Sequence, residues 1–252
     1  KDLGKLNEAE KCTRKAIQLD PSFAEAFYNL GGILVKLGNL IEATLYTVKA
    51  IKIKPNYADA YLNLGVISRV LGNLYKAKLF TLKAIKIKPN FGEAYFNLGA
   101  ILKDLGKTEE SMVYLKKSLE IQPNLANSYC LIGSIHQQKL DLEKAIESYK
   151  KALEIKPDLI EARVNLEHVY RTAIPNWHLP MMNDISRNNS YLAAIKCAVK
   201  KSQFVLEIGT GSGLLAMMAV DAGAENVVTC EVSKPIAEVA ESIIAKNGYA
   251  KN

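Results

Sequence analysis

The residues best suited to chemistry lie near the end of the chain. Glu207 sits in a short apolar run, Phe204 to Ile208, that leads directly into Gly209-Thr210-Gly211-Ser212-Gly213. Such a run reads as a buried strand. Leu214 to Ala222, behind the glycines, reads as a helix stopped by Gly223, and a second strand over 226–232 carries Glu231 near its end. A glycine-rich turn between strand and helix lets a ligand lie against bare backbone. An acid at the end of the second strand can accept hydrogen bonds from both hydroxyls of a ribose. That much suits a dinucleotide or S-adenosylmethionine, and a glycine-rich loop alone does not separate them. Two residues do. The dinucleotide pattern G-x-G-x-x-G needs a glycine at 214, where Leu214 stands. Glu207 would repel a pyrophosphate, but it suits a ligand with an ammonium, a sulfonium and no phosphate. The residues therefore favour S-adenosylmethionine.

The elements that must position these groups follow from the same stretch. A helix is predicted over about 188–200, before the first strand. A second helix opens behind Ser233 and Pro235, both suited to a helix start, and runs to about Lys246. The order β-α-β-α is the opening of a doubly wound parallel sheet. Upstream, Ile174 to Pro180 holds two prolines and is predicted to be irregular.

Residues 175–252 resemble the start of a protein arginine methyltransferase. Val205 to Gly213 (VLEIGTGSG) is similar to that family's first cofactor motif, and Cys230-Glu231-Val232-Ser233 to its ribose-binding segment. Trp177 to Asn188 (WHLPMMNDISRN) is similar to the segment that folds over the cofactor. The resemblance implies that His178 and Met181 flank S-adenosylmethionine and that Arg187 pairs with its carboxylate. It implies that Gly209 and Gly211 lie against the methionine part, with Glu207 near the ammonium and Glu231 on the ribose. The family's acceptor site uses two glutamates on a hairpin further along the sheet, then a Thr-His-Trp-like loop and a β-barrel. All are expected beyond Asn252, so no catalytic residue is assigned within the chain. Methyl transfer by these 252 residues alone is not expected.

The rest of the sequence is periodic. Pro21, Pro55, Pro89, Pro123 and Pro157 stand 34 residues apart, and the text around them repeats. AFYNLG at 26–31 returns as AYLNLG at 60–65 and AYFNLG at 94–99. Within each unit the apolar residues fall at helical spacing in two segments. Gly38, Gly72 and Gly106 separate the two segments, and each proline ends the second helix. Gly31, Gly65, Gly99 and Gly133, with Ala43, Ala77 and Ala145, are small enough for paired helices to approach closely. One pair cannot bury its apolar face alone, so successive pairs must stack. The period and motifs resemble tetratricopeptide repeats over residues 1 to about 171: half a repeat, four full repeats from Ala24, Ala58, Gly92 and Ala126, and a terminal helix. A stack beginning in mid-repeat is expected to have further sequence upstream.

Repeats of this family imply a concave groove that binds a peptide or protein. Asn29, Asn63, Asn97 and Asn165 recur at one position, interrupted by Leu131. An asparagine offers a donor and an acceptor, so such a ladder suits the backbone of an extended peptide. The alternative is that asparagine merely belongs to the repeat. The lysines at 49, 52, 54, 83, 86 and 88 fall in the last turns of second helices, where the helix dipole favours a cation.

The net charge of +7 is a modest excess, +6 over residues 1–170 and +1 over the remainder. It lacks the concentrated basic and aromatic pattern of a nucleic-acid surface. No apolar run suits a membrane span. Cys12, Cys130, Cys197 and Cys230 form no C-x-x-C pair, which argues against a zinc framework and fits a cytoplasmic setting. The expected fold is an α-helical tetratricopeptide solenoid over 1–171, a linker and cofactor-covering segment over 172–203, and a partial Rossmann-like α/β domain over 204–252. The expected function is that of part of a protein arginine methyltransferase whose repeats hold a protein substrate or partner. A non-catalytic binding scaffold and a small-molecule methyltransferase remain open alternatives.

Overall fold

The structure is a computed structural model and describes residues 2–173, 178–201 and 203–249. The chain divides into two compact units, residues 1–139 with 148–162, and residues 140–147 with 163–252.

The repeats form consecutive helices: α1 Asp2–Leu19, α2 Ala24–Lys36, α3 Leu40–Ile53, α4 Ala58–Val70, α5 Leu74–Ile87, α6 Gly92–Asp104, α7 Thr108–Ile121, α8 Ala126–Gln138, α9 Leu142–Ile155 and α10 Ile160–Ala173. The four first helices begin at Ala24, Ala58, Gly92 and Ala126, as the period predicts. Helix α1 supplies the half repeat ahead of them.

The close approach at the small residues is direct. A Cβ added at Gly99 would lie 2.8 Å from Leu115 Cγ, and one at Gly133 would lie 2.8 Å from Tyr149 Cε1. Ala43 and Ala77 are fully buried at the equivalent seams of α2 with α3 and of α4 with α5. Leu30, Leu34, Ala43, Leu64 and Ile67 then join neighbouring pairs into one apolar cluster. Burying a side chain of this size contributes about 1.5–3 kcal/mol.

Turns between paired helices use left-handed backbone at Gly38, Gly72 and Gly106, with φ of 82°, 77° and 75°. The fourth turn places Leu140 there instead, at φ 60°. The repeated lysines do more than face a helix dipole. Lys54, Lys83 and Lys88 hold their ammonium groups 4.7, 4.5 and 4.4 Å from the ring centroids of Tyr57, Tyr61 and Phe91. Such contacts contribute about 0.5–1 kcal/mol at exposed sites.

In the second unit, α11 His178–Met182 and α12 Ile185–Ala198 precede β1 Phe204–Ile208. Then follow α13 Leu214–Asp221, β2 Asn226–Cys230 and α14 Lys234–Lys246. The strands pair in parallel, Phe204 opposite Asn226 and Ile208 opposite Cys230. Four details depart from the sequence reading. Strand β1 is not buried, since Phe204, Leu206 and Ile208 on one face are exposed, with only one neighbouring strand among the described residues. Residues 178–180, expected to be irregular with the rest of 174–180, open helix α11, because Pro180 falls in the first turn, where a missing N–H is tolerated; residues 174–177 lie outside the described ones. Helix α12 starts at Ile185, not Asn188, because the Asp184 side chain caps it by accepting from Arg187 N–H. Strand β2 ends at Cys230, so Glu231 stands just past the strand rather than within it.

Candidate functional site

The site begins with the glycine loop. Gly209, Gly211 and Gly213 all adopt left-handed φ (82°, 56° and 80°), which residues with a Cβ rarely adopt. The loop is tied to the end of β2, where Cys230 C=O accepts from Gly209 N–H at 2.9 Å and from Thr210 N–H at 3.1 Å. Gly213 is needed twice over, since an added Cβ there would lie 2.8 Å from the Ile244 side chain of α14.

Glu231 closes the loop from the other strand. Its carboxylate accepts from Gly211 N–H at 3.1 Å and from Ser233 N–H at 2.9 Å. A carboxylate has about four lone-pair positions, so acceptor capacity remains for hydroxyls of a ligand.

Glu207 is half-buried on the inner face of β1. It accepts from Thr229 Oγ1 at 3.0 Å, and Thr229 is in turn hydrogen-bonded to Thr210. A hydroxyl carries one proton, so with Thr229 donating to Glu207, Thr210 must donate to Thr229. Burial pushes the Glu207 carboxyl above its ordinary pKa, and the Thr229 bond partly opposes the shift. A desolvated carboxylate of this kind is well suited to a cation.

A cavity of about 460 Å³ lies at the carboxyl ends of the two strands, lined by Met181, Arg187, Glu207, Gly209, Gly211 and Glu231 among others. Its size is within the range of small-molecule sites, about 300–1,000 Å³. Six of the seven residues read from the sequence as cofactor contacts thus share one cavity. The seventh, His178, has its side chain outside the described residues, as does Trp177. Arg187 lies 4.7 Å over the Tyr191 ring and donates to Asn188 Oδ1 at 3.1 Å. Among the described residues its guanidinium has no carboxylate partner, so its charge is available to an anionic ligand group. Sequence reading missed Met182, Thr210, Ser212, Leu214, Leu215, Val232, Ser233 and Ile236 as lining residues. Thr210 and Ser212 lay inside the quoted motif, and Ile236 had only its place on a helix facing the loop to mark it.

These groups fit S-adenosylmethionine by their chemistry: one half-buried carboxylate, one guanidinium, an acid at the second strand end and a loop of bare backbone. Among the described residues no cluster of histidines, cysteines and acids could hold a metal. The described cysteines are free. No helix among the described residues is long and apolar enough to cross a membrane.

Of the asparagine ladder, Asn29, Asn63 and Asn97 occupy the same position on α2, α4 and α6. Asn29 is exposed and the other two are half-buried. Asn63 donates to Thr47 Oγ1 at 3.2 Å and Asn97 to Glu93 C=O at 2.8 Å, so each spends one N–H inside the protein. Asn165, on α10, belongs to the second unit.

Residues 1–38, 24–57, 58–91 and 90–158 match tetratricopeptide repeat family models. Residues 189–252 match the model of ribosomal protein L11 methyltransferase. An arginine N(omega)-methyltransferase of Streptomyces achromogenes subsp. streptozoticus is 42% identical over 82 residues, 32% of this chain and 23% of that protein. Protein arginine N-methyltransferase 9 of Mus musculus is 44% identical over 88 residues, 34% of this chain and 10% of that protein. The chain thus spans less than a quarter of the length of either relative. A thermophilic tetratricopeptide protein of Thermus thermophilus shares the helical fold, with TM-score 0.59 at 22% identity over 67% of this chain and 92% of that one. Methyltransferases of this kind use an S-adenosylmethionine-type cofactor, and tetratricopeptide repeats are protein- or peptide-binding modules. The chain is therefore a run of tetratricopeptide repeats joined to a protein arginine methyltransferase-like segment.

Proposed function

We propose that this chain supplies the cofactor-binding and substrate-recruiting parts of an S-adenosylmethionine-dependent protein arginine methyltransferase. In this reading residues 1–171 recruit a protein substrate, 172–203 cover the cofactor and 204–252 hold it. The observation that carries the reading is the shared cavity of Glu207, Arg187, Glu231 and the glycine loop, with opposite charges available to the two ends of an amino acid moiety. When bound, S-adenosylmethionine supplies a methyl group on a sulfonium. The Glu207 carboxylate receives the ligand's ammonium, and the Arg187 guanidinium its carboxylate. Glu231 accepts from ribose hydroxyls with the lone pairs not used by Gly211 and Ser233. Gly209 and Gly211 leave the loop backbone open, and Met181, with His178, flanks the ligand. The printed names of the relatives support an arginine acceptor in this reading.

Two experiments test the two parts. Photocrosslinking of labelled S-adenosylmethionine to the purified protein is expected to place the label within residues 178–236. Label confined to the repeats would overturn the site. For the acceptor, deleting the gene from its natural cells is expected to remove methylarginine from proteins that the repeats capture. Unchanged methylarginine in those proteins would overturn that assignment.

A further inference from the structure

A second cavity, of about 510 Å³, lies wholly within the repeat unit. Four primary amides line it: Asn97 from α6, Gln122 and Asn124 from the turn after α7, and Asn127 from the first turn of α8. Phe96, Leu125 and Ile155 add apolar lining, and Glu93 and Lys156 add one charge of each sign.

The donor and acceptor inventory is specific. Each primary amide brings one carbonyl oxygen and two N–H groups. Of these only one Asn97 N–H, given to Glu93 C=O at 2.8 Å, is spent among the described contacts. Neutral groups that both donate and accept match a peptide main chain, which presents one N–H and one C=O per residue. Nothing in such a lining selects a particular side chain. The charge is different. Acids recur at this repeat position, as Glu25, Asp59 and Glu93, where the first helical turn favours them. Glu25 is paired with Lys54, whereas Glu93 has no cationic partner among the described residues and lines the cavity.

We propose that this cavity holds the main chain of an extended polypeptide and that Glu93 receives a cationic side chain of the same segment. The inference deepens the recruitment reading and rests on it. It extends the site from the single Asn97 of the ladder to a four-amide pocket with a charge preference. Recognition divides accordingly: the amides fix the backbone of any extended segment, and Glu93 selects those carrying arginine or lysine.

The test uses the full chain and three fluorescent Gly-Ser peptides bearing a central arginine, lysine or neutral citrulline, with binding read by anisotropy. The arginine and lysine peptides are expected to bind more tightly than citrulline. Glu93→Gln is expected to remove that preference by bringing the arginine and lysine affinities down to that of citrulline. Asn97→Ala with Asn127→Ala is expected to weaken all three peptides about tenfold, through the loss of hydrogen bonds to the peptide main chain. Circular dichroism melts identify a misfolded variant, and Asn124→Ala, at an exposed turn, then serves as the alternative. Affinities unchanged in the folded amide variants, or no binding of any peptide, would overturn the proposal. A charge preference that survives Glu93→Gln would overturn its second part. Because no methyl donor is present, failure here is distinct from failure of the cofactor site, which the crosslinking experiment reads separately.

Discussion

The Glu231 carboxylate, one residue past β2, accepts a hydrogen bond from the Gly211 N–H of the loop after β1 at 3.1 Å. One side chain thus holds the glycine loop against the end of the neighbouring strand and borders the ligand cavity. Its second oxygen, on Ser233 N–H, fixes the start of α14. Glu231→Ala is expected to loosen the loop and weaken S-adenosylmethionine binding by about ten- to a hundredfold, since hydrogen bonds to charged groups contribute about 1.5–3 kcal/mol. Hydrogen exchange at Gly211 and Ser233 should accelerate in the variant, and unchanged exchange would count against the clamp.

Glu207 is expected to trade stability for binding. Its pKa is raised by burial above the ordinary carboxylate value of 4.5. Its protonated form is therefore favoured by folding. The stability this gives is fully present below the unfolded pKa and is lost as pH rises through the folded one. Glu207→Gln should abolish that slope and raise the melting temperature at neutral pH. The same change should weaken binding of a cationic ligand about tenfold or more. Melts across a pH series, with parallel ligand titrations, check both halves.

Two adjacent glycines in α2 should respond oppositely to alanine. No atom lies within 4 Å of a Cβ added at Gly32, so Gly32→Ala should stabilise the helix by up to about 1 kcal/mol. At Gly99, in α6, the added methyl meets Leu115 and should cost about 1–3 kcal/mol. Gly31, the neighbour of Gly32, meets the Thr47 side chain in the same way and should follow Gly99. Urea midpoints of the three variants decide the matter.

Leu140 holds the left-handed turn position that glycine holds at 38, 72 and 106, and it is 80% exposed. A left-handed conformation costs a residue with a Cβ about 1–2 kcal/mol, and little packing is lost on truncation. Leu140→Gly should therefore raise stability by about 1 kcal/mol. A lowered urea midpoint would show that the exposed side chain matters more than the backbone.

The repeats were legible because their signals are local and recur. A proline every 34 residues and a glycine between paired helices placed the starts at Ala24, Ala58, Gly92 and Ala126. The second unit was less so. Pro180 reads as a breaker until its place in a first turn is known, and the Asp184 cap outranks the later start suggested by periodicity. Glu207 and Glu231 stand out in sequence, but the Thr210–Thr229–Glu207 chain depends on strand register, which sequence does not display. The amide pocket was hidden for a related reason. Only Asn97 of its four amides lies on the repeating ladder, and the other three come together through the fold of the turn after α7.

The most direct measurement is a calorimetric titration of S-adenosylmethionine into the purified chain, with ATP as the phosphate-bearing control. Saturable binding of one cofactor per chain, weakened in Glu231→Ala and absent for ATP, is the expected result. No saturable heat with S-adenosylmethionine, or equal affinity in the Glu231→Ala variant, would contradict the assignment of this cavity to the cofactor.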